Sequence, residues 1–148
     1  MSMTNEYRTE IVVPTPQIAA LQANIRGSVC GEILEMAFKK VAQEHLGRLA
    51  SAYQDCAGKA NPCLLSLHTP KLASGVGAVV DAQGKVTFKY DEKSCDTKAA
   101  RAVCDDLARA YAVIAVIRWA QSQQMQFSVT EDPSKSTSGR TVRIRTSL

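Results

Sequence analysis

Aromatic residues are scarce in this chain, at 5 % of its 148 positions. Few rings are available to stack bases or sugars, and Ala, Val, Ile and Leu must fill the core. Long apolar runs are also missing. The longest, Ala110 to Ile117, falls far short of the ~20 residues a membrane-crossing helix needs. The stretch from Met1 to Glu10 is polar and lacks the apolar segment of a secretory signal. A soluble protein of the cytosol, or of a stroma-like plastid compartment, is therefore expected. No Cys-x-x-Cys occurs among Cys30, Cys56, Cys63, Cys95 and Cys104, so the spacing of a zinc finger is absent. An odd number of cysteines cannot all pair within one chain. Reduced thiols packed as small apolar groups are the expectation.

The residues that are present describe an ordinary globular chain, 45 % hydrophobic and 22 % charged, with enough length to bury a core. Thr9 to Val13 reads as a strand rich in β-branched residues. Thr15-Pro16 opens a helix, with Thr15 as N-cap and a stripe of Ile18, Leu21 and Ile25 that Gly27 stops. The helical period then predicts a second helix from Val29 to Ala57, weakened and bent at Gly47. Leu64 to Leu67 is a short strand. Val76–Val80 and Lys85–Tyr90 flank a turn in which Gly84 takes positive φ, a hairpin signature.

A long helix is predicted from Asp96 to Gln124, with Val103, Leu107, Ala110, Ile114 and Ile117 as its stripe. Val113 and Val116 broaden that stripe, so the second half is expected to be buried on more than one side. Alternation around Phe127 and Val129, and again from Arg140 to Thr146, predicts two closing strands. The order of elements predicts an α+β fold, with a single layer of mostly antiparallel sheet packed against long helices. One domain over residues 1–148 is expected.

Several residues at the two ends carry a family resemblance: Tyr111-Ala112, Ala120-Gln121, Gln126-Phe127-Ser128-Val129, Glu131, Gly139, Val142 and Arg143. On these the chain resembles the uncharacterised chloroplast Ycf35-type proteins, domain-of-unknown-function 1257. The resemblance covers mainly the ends. The segment Val29–Ala57 departs from the family pattern and the middle matches poorly. It implies an α+β fold, photosynthetic or bacterial lineages, and work alongside an AAA+ ATPase. It supplies no activity.

Chemistry-bearing constellations are few. Cys63 and His68 are the one Cys–His pair close in sequence, a thiol nucleophile if the fold brings them together. The bland alternative is a partly buried Cys and a loop His. Asp105 and Asp106 are helix neighbours whose side chains should diverge, and Glu131-Asp132 reads as turn chemistry. Gly75-Val76-Gly77 leads into a strand rather than a helix, so it lacks the amides of a phosphate cradle. No cofactor and no metal are expected.

The net charge is +4, and all of it lies after Pro133 in Lys135, Arg140, Arg143 and Arg145. With Val142 and Ile144 facing inward, Arg143 and Arg145 would share an outer face. That face could meet phosphates or an acidic partner. It could equally be an edge strand protected by charge. The leading reading is a non-enzymatic binding or assembly protein acting through a protein–protein interface, with a homo-oligomer compatible. The alternative is a nucleic-acid-binding module using the basic C-terminal strand. A cysteine-dependent enzyme comes third.

Overall fold

The alternation of Val86, Phe88 and Tyr90 with Lys85, Thr87 and Lys89 has a direct structural outcome: the first set is buried and the second half-buried. The computed structural model describes residues 4–93, 95–123, 126–132 and 141–147, the last two segments as backbone only. Its main sheet contains β1 (Thr4–Val12), β2 (Arg48–Gln54), β3 (Ala60–Thr69), β4 (Leu72–Val80) and β5 (Lys85–Asp91), in the order β1-β5-β4-β3-β2. Every pairing is antiparallel. The helices are α1 (Thr15–Ala23), α2 (Val29–Glu44) and α3 (Thr97–Ser122), with a 3₁₀ turn at Ile25–Gly27. The chain is α+β, as the pattern predicts. A second, two-stranded sheet is formed by β6 (Gln126–Asp132) and β7 (Thr141–Ser147).

The core lies between sheet and helices. Phe38 of α2 meets Phe88 of β5 edge to face, with ring centroids 5.9 Å apart. Leu34, Val41, Val103 and Leu107 pack into the same cluster as Leu67, Val76 and Val86. The β4–β5 hairpin turns as expected: Gly84 has φ +86 and its N–H donates to Asp81 O at 3.0 Å. Asp96 caps α3 by accepting from Lys98 N–H at 3.0 Å.

Five expectations are corrected. α2 ends at Glu44 instead of running to Ala57, and 48–54 is strand β2. Leu46 takes φ +54 and the Gly47 N–H donates to Ala42 O at 2.7 Å, the six-to-one bond of a Schellman stop. Gly47 therefore follows the helix end rather than bending it. A Cβ there would lie 2.7 Å from His68 O. β1 is longer than 9–13, beginning at Thr4 and pairing with β5. Thr15 is the first helical residue, preceded by Pro14 with no side-chain cap. Gly75 and Gly77 lie inside β4. The second half of α3 is more open than its composition suggests, with Val116 37 % and Trp119 56 % exposed. Among the described residues, no helix is long and apolar enough to cross a membrane.

Candidate interaction surface

β1 is an edge strand because it pairs with β5 on one side, and no described strand lies on the other. Its residues alternate: Thr9 and Ile11 are buried and Tyr7 half-buried, while Glu6, Arg8 and Glu10 are exposed. Tyr7 fixes the strand to the fold. Its ring stacks on Phe88 with centroids 6.0 Å apart, its hydroxyl donates to Asp105 of α3, and the Arg101 guanidinium sits 5.8 Å from the ring centroid. Burial, reinforced by the Asp105 hydrogen bond, pushes the Tyr7 hydroxyl pKa well up, so it stays protonated.

Pairing is regular from Thr4 to Arg8 and then shifts before Val12. The Thr9 hydroxyl stabilises that irregularity by donating to Val86 O at 2.6 Å and accepting from Ile11 N–H at 3.1 Å. Bulges of this kind are a common feature of edge strands.

Beside the edge runs a groove of about 670 Å³. One wall is β1 from Tyr7 to Val12; the other is Ala108, Tyr111, Ala112, Ala115 and Val116 of α3. The helix presents small residues where it approaches the strand, which leaves the space open. Val12 is 58 % exposed at one end, and Trp119 follows Val116 by three residues along the helix. Tyr111 and Ala112, two of the residues that carry the family resemblance, are part of this wall. Burial raises the Tyr111 hydroxyl pKa, with the Cys30 thiol as its hydrogen-bond partner.

A second cluster joins the C-terminal end of α2 to α3. His45 Nε2 lies 2.9 Å from Asp106 Oδ2, and Arg109 Nη1 lies 3.6 Å from Asp106 Oδ1. Donor atoms of Glu44, His45 and Asp106 all fall within 4.8 Å of one another, and an apolar cavity of about 270 Å³ adjoins His45. These are ligand types that a divalent cation accepts. The His45–Asp106 contact is already closed as a hydrogen bond, however, and the Arg109 charge beside Asp106 opposes a second cation. The cluster works as a hydrogen-bonded tie between two helices. Asp105 and Asp106 do diverge, one toward Tyr7 and the other toward His45.

Cys63 and His68 are not arranged as a nucleophile and base. His68 Nδ1 is 3.0 Å from Ala73 O, and Nε2 is 3.0 Å from Ala52 O and 2.9 Å from Ser66 Oγ. The ring ties β2, β3 and β4 together. Burial pushes the Cys63 thiol up to about 11, the opposite of activation. None of the five cysteines is joined in a disulfide.

Of the basic residues singled out from sequence, Lys135 and Arg140 lie outside the described residues. Arg143 and Arg145 stand on β7, opposite Thr130 and Ser128 of β6, and their side chains lie outside the described set, as do those of Glu131 and Asp132. Glu6, Arg8 and the α3 wall were missed. Alternation from Glu6 to Ile11 was the available signal for the strand. Its edge position is a non-local property.

No family model matches the chain, and neither a curated protein nor a solved structure matches it.

Proposed function

We propose that the protein is a non-enzymatic binding and assembly protein that acts through the β1 edge and the groove beside it. One observation carries this reading: the open edge of β1 and the apolar groove form one continuous strip. An extended polypeptide can add a strand to such an edge, with main-chain hydrogen bonds giving affinity and alternate side chains entering the groove. Exposed Val12, Val116 and Trp119 add apolar surface that association would remove from water. The AAA+ ATPase implied by the Ycf35-type resemblance belongs to this proposal as a partner class.

Hydrogen exchange on the chain, free and in the complexes it forms with copurifying polypeptides, tests the reading. Amides of Thr4–Val12 should gain protection in the complex, and Val116→Asp should abolish both complex and protection. Complexes that protect other segments and tolerate Val116→Asp would overturn it.

A second reading has its own support in the charge distribution. The whole net charge of +4 follows Pro133, so Lys135, Arg140, Arg143 and Arg145 would contact nucleic-acid phosphates. Retention on heparin or RNA that falls steeply with salt would favour it.

A further inference from the structure

We infer that the polypeptide that pairs with β1 is the β1 strand of a second copy of this chain, in a register centred on Tyr7. The inference rests on the proposed role of the β1 edge and names its occupant. A two-fold axis normal to the sheet joins two antiparallel edge strands and keeps the helices of both copies on the same face. Directly opposite residues in such a pair point to the same face, so the axis must pass through a residue and not between two.

The charge pattern on the exposed side of β1 then selects among registers. Glu6, Arg8 and Glu10 alternate in sign along that side. Centring on Arg8 sets Arg8 against Arg8 and Glu6 against Glu10, all like charges. Centring on Glu6 sets Glu6 against itself. Centring on Tyr7 sets Glu6 against Arg8 twice, by symmetry. Centring on Thr9 would pair Arg8 with Glu10, but Thr9 lies in the irregular stretch between Arg8 and Val12. The central pairs of the Tyr7 register, Tyr7 with Tyr7 and Glu6 with Arg8 on either side, all fall in the regular stretch, Thr4 to Arg8.

The surroundings agree with this register. Arg8 has no acidic partner among the described residues, whereas Glu6 has only Lys89, 3.7 Å away and on the neighbouring strand. On the helix face, α3 of each copy flanks the axis. Its small residues Ala108, Ala112 and Ala115 leave room for the other copy beside the strand. The product is a ten-stranded sheet in which the β1 edge no longer exists.

Sedimentation equilibrium and light scattering on the full chain test this. The expected species has twice the 16.0 kDa mass of one chain. Arg8→Glu and Glu6→Arg should each weaken the dimer by roughly 10-fold or more at low salt, since each turns two attractive cross-strand pairs into two repulsive ones. The double swap Glu6→Arg/Arg8→Glu restores the pairing and should restore the dimer. A monomer at every concentration up to hundreds of micromolar would overturn the inference, as would a dimer indifferent to the single reversals or not rescued by the swap. If Thr4–Val12 still gains amide protection with a different polypeptide, the interface reading stands and only its occupant is wrong. If no complex protects that strand, both fall.

Discussion

Gly75 lies against the imidazole of His68 so closely that a Cβ built on it would come within 2.5 Å of Cε1 and 2.7 Å of Nδ1. The ring cannot easily yield, because Ala52 O, Ser66 Oγ and Ala73 O pack against its two nitrogens at 2.9–3.0 Å and hold it in place. Gly75 also has φ +90, so a side chain there is strained in backbone as well as in space. Gly75→Ala should cost roughly 2–4 kcal/mol. Gly58, with φ +78 and nothing within 4 Å of a Cβ, supplies the control: Gly58→Ala should cost only about 1 kcal/mol. Urea melts of both variants check the difference. Equal losses would show that the approach to His68 contributes nothing.

Leu107 is fully buried where α3 meets the sheet. Leu107→Ala should cost roughly 2–5 kcal/mol, through lost transfer energy and a residual cavity. Val116→Ala, nine residues further along the same helix, should stay within about 0.5–1 kcal/mol because its side chain is partly in water. Denaturant midpoints measure both.

What could be read from the sequence follows a physical division. Local chemistry was legible: the Gly84 turn needs positive φ, Asp96 caps α3, and Val103 and Leu107 repeat at helical spacing. α2 was overextended because Leu49, Ala52 and Cys56 continue the helical period of Ile33, Ala37 and Val41. The stop depends on Leu46, a residue that carries no local signal for a left-handed conformation. The candidate surface was not legible for a different reason. β1 becomes an edge only because it pairs with β5, some eighty residues away in sequence, and not with β2. The groove depends on how closely α3 approaches that strand. The arginines of the C-terminal strand, by contrast, are conspicuous in the sequence because charge alone makes a pattern there.

The thiols should differ sharply in reactivity. Cys56 is exposed. Burial pushes Cys63 up to about 11, and pushes Cys104 and Cys95 up as well. Near neutral pH, Cys63 should carry about 100-fold less thiolate than a thiol at the ordinary value of 9.0. Maleimide labelling of the native protein, mapped by mass spectrometry, should modify Cys56 first and Cys104 only on unfolding. Rapid labelling of Cys63 would contradict this environment.

Glu35 accepts from Arg26 and Lys39, with contacts of 3.1 and 3.0 Å. The Arg26 hydrogen bond, followed by that of Lys39, holds its carboxyl below the ordinary value. A depressed folded-state pKa contributes stability above the unfolded value, near 4.3, and that contribution is lost as pH falls through the folded value. Glu35→Gln should therefore be less stable than the parent at neutral pH and equal to it in strong acid. Added salt should narrow the neutral-pH gap, because Arg26 is well exposed. Thermal melts across pH measure this; a gap that widens in acid would reverse the sign of the argument.

Leu46 sits at the position after the α2 cap with φ +54, and its side chain is 85 % exposed. The residue contributes little burial there and carries the steric cost of the left-handed region, about 1–2 kcal/mol for a side chain with an ordinary Cβ. Glycine pays no such cost, although it loses more backbone entropy on folding, about 0.5–1 kcal/mol. Leu46→Gly should thus raise stability by a few tenths to about 1 kcal/mol, and Leu46→Asn by somewhat less, since Asn tolerates this region better than Leu. The Gly47 N–H to Ala42 O bond should persist in both variants, visible as an unchanged slow-exchanging amide at Gly47. Urea midpoints of the two variants decide the point. Destabilisation by Leu46→Gly would mean that the leucine side chain makes a stabilising contact that its exposure conceals.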